Sequence, residues 1–229
     1  MGVCSVDYGG EAIALCPKRF LEGYKPFTRI AQFNFGTTNN IIRFDEVGVP
    51  KVGNFDFVLV KHKPMSDEIE DFAAVEFQTG ETTGTGKLVG ALKEYANGMN
   101  ITENTYKFGM NYADIWKRTF TQILNKGILM ERWKHKIYWV IQEPVYNYFL
   151  KRYNLSLKFD PDDNTIFDIY DLQISGGKYE FVFKKRESAT VDGLFNVFRN
   201  NPALPSKEAF VKRLRNRVAA QLQLSLKLT

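Results

Sequence analysis

No run of apolar residues in this 229-residue sequence approaches the roughly 18 in a row that a membrane-spanning helix needs. The opening, MGVCSVDYGGEAIALCPKRF, lacks the charged stretch followed by an apolar one that marks a secretory leader, so neither membrane insertion nor export is expected. Cysteine is scarce as well: Cys4 and Cys16 are the only two. Two thiols in a chain of this size are no disulfide framework, and the default expectation is a reducing, cytoplasmic setting. There is no internal repeat, no low-complexity tract and no composition break that would mark a linker. With 44% hydrophobic and 25% charged residues, disordered and fibrous readings fall away. The length suits one sizeable core, so a single domain over 1–229 is expected.

The formal net charge is only +5, but its placement is uneven. From Ser206 to Thr229 six basic residues (Lys207, Lys212, Arg213, Arg215, Arg217, Lys227) face one acid, Glu208, so the tail carries the whole excess. A basic segment beside a neutral body suits a polyanion, because Lys and Arg displace the counterions condensed on phosphates. The same residues also fit a solvated amphipathic helix over 206–225, with Phe210, Leu214, Val218 and Leu222 turned inward.

Hydrophobic periodicity predicts an α/β order. The first forty residues read as irregular apart from a short helix around Phe27, Ile30 and Ala31, and Gly2 to Pro17 offers so few apolar residues that the segment is expected to be poorly anchored unless a metal is present. Strands are predicted over Ile41 to Val47, Asn54 to Val60 and Phe72 to Thr79, followed by a helix from Gly86 to Asn97 that stops at Gly98. A second helix is predicted over Asp114 to Lys126, ended by Gly127. The apolar run KIYWVIQ, Lys136 to Gln142, reads as a buried strand, and Pro144 opens another helix. Asp168 to Ile174 and Lys178 to Lys184 flank Ser175-Gly176-Gly177 as a hairpin, and the basic helix closes the chain.

The segment Thr79 to Leu88, TGETTGTGKL, imitates a phosphate loop but fails its spacing. The first glycine of that motif would fall on Glu81, and the magnesium-binding hydroxyl on Leu88. The chemistry lies just upstream. Hydrolysing a phosphodiester requires an activated water, charge relief on the non-bridging oxygens and help for the leaving oxygen, all of which a carboxylate-held divalent cation supplies. Strand periodicity puts Glu76 and Gln78 on one face of their strand, with Val75 and Phe77 on the other. Asp56 sits among Phe55, Phe57 and Val58, where a carboxylate needs a compensating charge such as a bound cation.

An acid in one strand, then Glu-x-Gln 20 positions on in the next, then a helix, resembles the PD-(D/E)XK nuclease core. The spacing GVCSV-x₃-GG-x₅-CP-x-RF at the N-terminus, FDEVGVPKVGNFDFVLV around Asp56 and the strand ending VIQEP look like the NotI family of type II restriction endonucleases. The resemblance implies a restriction-endonuclease-like core, a mixed central sheet flanked by helices. It implies Mg²⁺ held by Asp56, Glu76 and the main-chain carbonyl of Phe77, with the upstream acid Glu46 nearby; Glu46 also reads as a plain strand-end acid. Gln78 stands where most of the superfamily has Lys. An amide positions a water but cannot take its proton, so the metal must acidify that water alone or with a second ion, unless Lys87 or Lys61 assists.

The family's four-cysteine structural metal site, for Fe or Zn, is matched only in its second pair, by Cys4 and Cys16; the first pair would fall before Met1. Two thiolates do not close a tetrahedral site. Residues upstream, other ligand groups or simple loss of the site all remain open, as do two ordinary thiols. The activity implied is Mg²⁺-dependent cleavage of double-stranded DNA at a short specific site, leaving 5′-phosphate and 3′-hydroxyl ends, by a homodimer that matches a palindrome. Gln142, Asn147, Arg213, Arg215 and Arg217 are base-readout candidates by residue type, and Lys212 joins the last three as a phosphate contact. A catalytically inactive DNA-binding protein on the same fold and a structure-specific repair nuclease are the alternatives.

Overall fold

The computed structural model describes residues 4–102, 104–201 and 204–226, the last three of these by backbone alone. In chain order its elements are β1 (Ser5–Tyr8), β2 (Glu11–Ala14), a 3₁₀ segment (Pro17–Tyr24), α1 (Lys25–Phe35), β3 (Ile41–Val49), β4 (Gly53–His62) and β5 (Ile69–Gln78). They are followed by β6 (Thr82–Thr83), α2 (Thr85–Ala96), β7 (Gly109–Met110), α3 (Tyr112–Gln122), a π-helical turn (Ile123–Gly127) and α4 (Ile128–Trp133). The last elements are β8 (Lys136–Gln142), α5 (Glu143–Tyr153), β9 (Thr165–Ser175), β10 (Lys178–Ala189), α6 (Val191–Arg199) and α7 (Lys207–Leu226).

Six strands form one mixed sheet in the order β10-β9-β8-β5-β4-β3. β3, β4 and β5 run as an antiparallel meander, β8 lies parallel to both β5 and β9, and β10 folds back antiparallel on β9. This is the α/β core with a mixed central sheet and flanking helices expected from the sequence. The composition of β8 explains its place. Six of its seven residues, Ile137 to Gln142, are buried, because a central parallel strand is covered on both faces and needs apolar side chains in both directions.

Two cores sandwich the sheet. On one face Trp116 of α3, Met130 of α4, Tyr146 and Phe149 of α5 and Leu194 of α6 pack on Ala74, Trp139 and Phe167. On the other, Phe20, Phe27 and Ile30 cover Val75, Phe77, Tyr138 and Tyr170. Trp116 stacks on Phe149 with ring centroids 3.5 Å apart. Burying one side chain of this kind contributes about 2–3 kcal/mol, so each face is held mainly by its aromatics.

The structure departs from the sequence reading at four places. The opening segment is an anchored hairpin, not a loose stretch: Gln142 Oε1 accepts from the Ala14 amide at 2.8 Å, its Nε2 donates to the Ala12 carbonyl at 2.5 Å, and Ile13 is fully buried. Gly127 does not end a helix. It stays right-handed (φ −63°, ψ −48°) inside a helix that continues to Trp133 and stops at Lys134, whose φ is +60°. A Cβ on Gly127 would stand 2.8 Å from Val191 Cγ2 and 3.3 Å from Thr165 Oγ1, so glycine serves close packing here rather than termination. α6 was not anticipated. Finally, Phe210, Leu214, Val218 and Leu222 do not face inward: each is 43–60% exposed, because α3 to α6 already cover that face of the sheet and α7 stands off it.

Candidate active site

The site forms where the β3–β4–β5 meander loses its ladder. The register pairs Phe57 with Val75, and one further step sets Asp56 opposite Glu76. On the other side, Asp45↔Phe57 and Val47↔Phe55 bracket Glu46 opposite Asp56. Three acids therefore stand in a row across three adjacent strands. Glu46 holds a left-handed φ of +53°, a costly backbone for a non-glycine residue, and strain of this kind concentrates at functional sites.

Asp56 replaces the missing ladder. Its Oδ2 accepts the Phe77 amide at 2.9 Å, while the Asp56 amide reaches Glu76 Oε1 at 3.4 Å. In a strand the N–H and C=O of one residue point to the same edge, so the Phe77 carbonyl is directed toward β4 and Asp56 as well. A cavity of about 390 Å³ opens beside these groups, lined by Lys18, Asp45, Glu46, Asp56, Phe77 and Thr79 among others.

Glu76 is fully buried. Its Oε1 accepts from Lys126 Nζ at 2.7 Å, and its Oε2 is enclosed with no partner. Burial, and secondarily the negative Asp56, raise the Glu76 carboxyl to about 7, against the opposing pull of Lys126. A buried carboxylate oxygen with no donor is an energetic liability that a cation relieves. Asp56, Glu76 Oε2 and the Phe77 carbonyl thus fit a hard divalent ion. Among the described residues no group of three His, Cys, Asp or Glu side chains could hold a metal. Such an ion would complete its shell with water and substrate phosphate, as Mg²⁺ commonly does.

Gln78, next on the same face, is also buried. It accepts from the Thr119 hydroxyl at 2.7 Å and donates to Gln122 Oε1 at 3.2 Å, which leaves one amide hydrogen for a water. Thr119, Gln122 and Lys126 fall at i, i+3 and i+7 along α3 and the π-turn, so one helix face lies over the two polar positions of β5. Lys126 is the lysine that pairs with Glu76, whereas Lys87 lies exposed at the start of α2 and Lys61 pairs with Glu70 at 3.3 Å toward the far end of β4. Lys126 escaped the sequence reading. Its signal was a charged residue inside the apolar stretch ILNKGILM. Lys18, in the cavity wall, was missed too.

The remaining candidates are dispersed. Gln142 is wholly buried and engaged with the hairpin, which leaves it no open surface for a base. Asn147 is half-buried on α5, and Lys212, Arg213, Arg215 and Arg217 lie exposed on α7. Cys4 and Cys16 meet at the open end of the hairpin, where the Cys4 carbonyl accepts the amides of Leu15 (3.0 Å) and Cys16 (3.3 Å). With no third metal-ligating side chain grouped there among the described residues, this pair does not fit a closed tetrahedral site.

The sequence matches the family described as restriction endonuclease NotI over residues 3–181, which includes every residue of the acidic row and leaves the second part of β10, α6 and α7 outside. No curated protein matches it. No helix among the described residues is long and apolar enough to cross a membrane.

Proposed function

The chain belongs to the NotI restriction endonuclease family, and on that premise we propose that it is a type II restriction endonuclease whose hydrolysis of double-stranded DNA depends on Mg²⁺ held by Asp56, Glu76 and the Phe77 carbonyl. The observation that carries this reading is the orphaned Glu76 Oε2, buried on the strand position opposite Asp56. A divalent cation there supplies charge relief to the scissile phosphate and acidifies a water. Asp56 and Glu76 fix the seat, with Asp56 itself held by the Phe77 amide. Gln78 orients the attacking water through its spare amide hydrogen, its own orientation set by Thr119 and Gln122. Glu46 adds a third negative group beside Asp56, and the basic face of α7 contacts backbone phosphates. Two copies around a two-fold axis would cut both strands of a palindrome, leaving 5′-phosphate and 3′-hydroxyl ends.

Digesting a plasmid of known sequence in Mg²⁺ and sequencing the ends is the test. Ends at one short sequence are expected. Scattered or structure-dependent ends favour a repair nuclease, and binding without cleavage an inactive relative. Asp56→Ala and Glu76→Ala should each abolish cleavage while Ca²⁺-supported DNA binding survives, and near wild-type cleavage by Glu76→Ala would sink the assignment.

A further inference from the structure

Among the described residues Lys126 is the positive side chain that pairs with a member of the acidic row, Glu76, and it is buried there with it. Lys126 is 4% exposed, its ammonium meets only Glu76 Oε1 among the polar groups of the described residues, and the aromatic face of Phe55 is 5.7 Å away. An ammonium carries three donors, so two N–H groups remain without an acceptor among the described residues, on the lysine that holds Glu76. Leaving a buried cation one-third satisfied is costly unless a second anion arrives. The helix delivers it there through an unusual device. The π-turn Ile123–Gly127 places Lys126 over Glu76, and Gly127, lacking a Cβ, lets that turn press against Val191 and Thr165. Short π-turns inside α-helices are frequent at functional sites.

The anion that would meet those donors is the substrate's own: the phosphodiester and the further negative charge that develops in its hydrolysis need a hydrogen-bond donor beside the metal seat, and the three acids of the row supply none. Gln78 is neutral. Resting on the nuclease reading above, we infer that Lys126 is a catalytic residue of this site: it holds Glu76 through Oε1, which leaves Oε2 free to take a metal, and donates its free N–H groups to a non-bridging oxygen of the scissile phosphate. Removing a donor of this kind typically costs about a hundredfold to a thousandfold in rate.

The experiment uses the full chain and a duplex carrying the site mapped by plasmid digestion. Lys126→Met, Lys126→Gln and Lys126→Arg are compared with wild type in three measurements: thermal melting, Ca²⁺ binding by calorimetry without DNA, and single-turnover cleavage at saturating Mg²⁺. Lys126→Met and Lys126→Gln should each slow cleavage by about a hundredfold or more with Ca²⁺ affinity changed less than tenfold, and Lys126→Arg should recover to within about tenfold of wild type. Lys126→Gln keeps a donor to Glu76 Oε1 and decides the matter if Lys126→Met does not fold. Cleavage by either within about threefold of wild type would overturn the inference and leave Lys126 as a neutralising partner of Glu76. Loss of Ca²⁺ affinity in step with rate would overturn the phosphate contact. An absence of site-specific cleavage by the wild type would instead fell the nuclease reading itself.

Discussion

Glu76 ties stability to pH in the direction opposite to most carboxylates. In the metal-free fold its carboxyl titrates near 7, raised chiefly by burial, whereas in the unfolded chain it returns to about 4.5. Between those values the unfolded chain has released a proton that the native state still holds, so stability falls as pH rises, by about 1.4 kcal/mol per unit. The contribution is complete below about pH 4.5 and gone above about pH 7, a loss of about 3 kcal/mol, which is a sizeable part of a total that is typically about 5–15 kcal/mol. Other groups titrate in the same window, so the comparison must be with Glu76→Gln, which has no proton to lose. Urea unfolding in EDTA at pH 4.5, 6 and 8 should show the glutamine variant gaining about 3 kcal/mol on wild type across the series. At pH 8, Mg²⁺ or Ca²⁺ should raise the stability of wild type and leave Glu76→Gln unmoved. A stability difference between the two that stays flat with pH would refute the assignment of a raised carboxyl to Glu76.

Four further outcomes are expected. Gly127→Ala forces a Cβ to 2.8 Å from Val191 Cγ2, and denaturant unfolding should register a loss of about 1–3 kcal/mol together with slower cleavage as the π-turn lifts Lys126 off Glu76. Arg186→Met strands the fully buried Asp168, to which Arg186 donates at 2.5 and 2.7 Å, and should cost about 3–5 kcal/mol, with much of that restored in the double variant Asp168→Leu/Arg186→Met. Neutralising Lys212, Arg213, Arg215 and Arg217 together should flatten the log–log salt dependence of DNA binding by up to about 3.6, and an unchanged slope would return α7 to a merely solvated helix. Elemental analysis of the purified chain should find no stoichiometric Fe or Zn, and a metal lost on replacing Cys4 and Cys16 with Ser would contradict this.

Much of the fold was legible because its strands obey simple rules. β8 was bounded correctly at Lys136 and Gln142 by its unbroken apolar run, and α5 by Pro144. The polar pair Glu76 and Gln78 stood out because period-two alternation put them on one face of an otherwise apolar strand. What hid was whatever depends on tertiary contact. Gly127 carried a stop signal locally, but its use is decided by Val191, sixty-four residues on. The N-terminal hairpin has few apolar residues of its own and is held by a glutamine 128 positions away from the amide it binds. Lys126 looked like a helix-terminal lysine until the sheet was brought beneath it. In α7 the apolar spacing was read correctly as helical, but spacing cannot say whether a core has room for another helix.

The Gln142 clasp also sets an order of assembly. Residues 12 to 14 have no acceptor or donor for it until β8 has formed and its C-terminal end projects from the sheet, and the loop to be closed spans more than half the chain. The β3–β4–β5 meander, by contrast, closes over loops of a few residues. Because closure entropy grows with loop length, the meander that carries the acidic row is the natural early structure and the hairpin a late docker. Amide exchange should follow that order: the central sheet amides are released only by global unfolding, and the Ala14 amide by detachment of the hairpin alone.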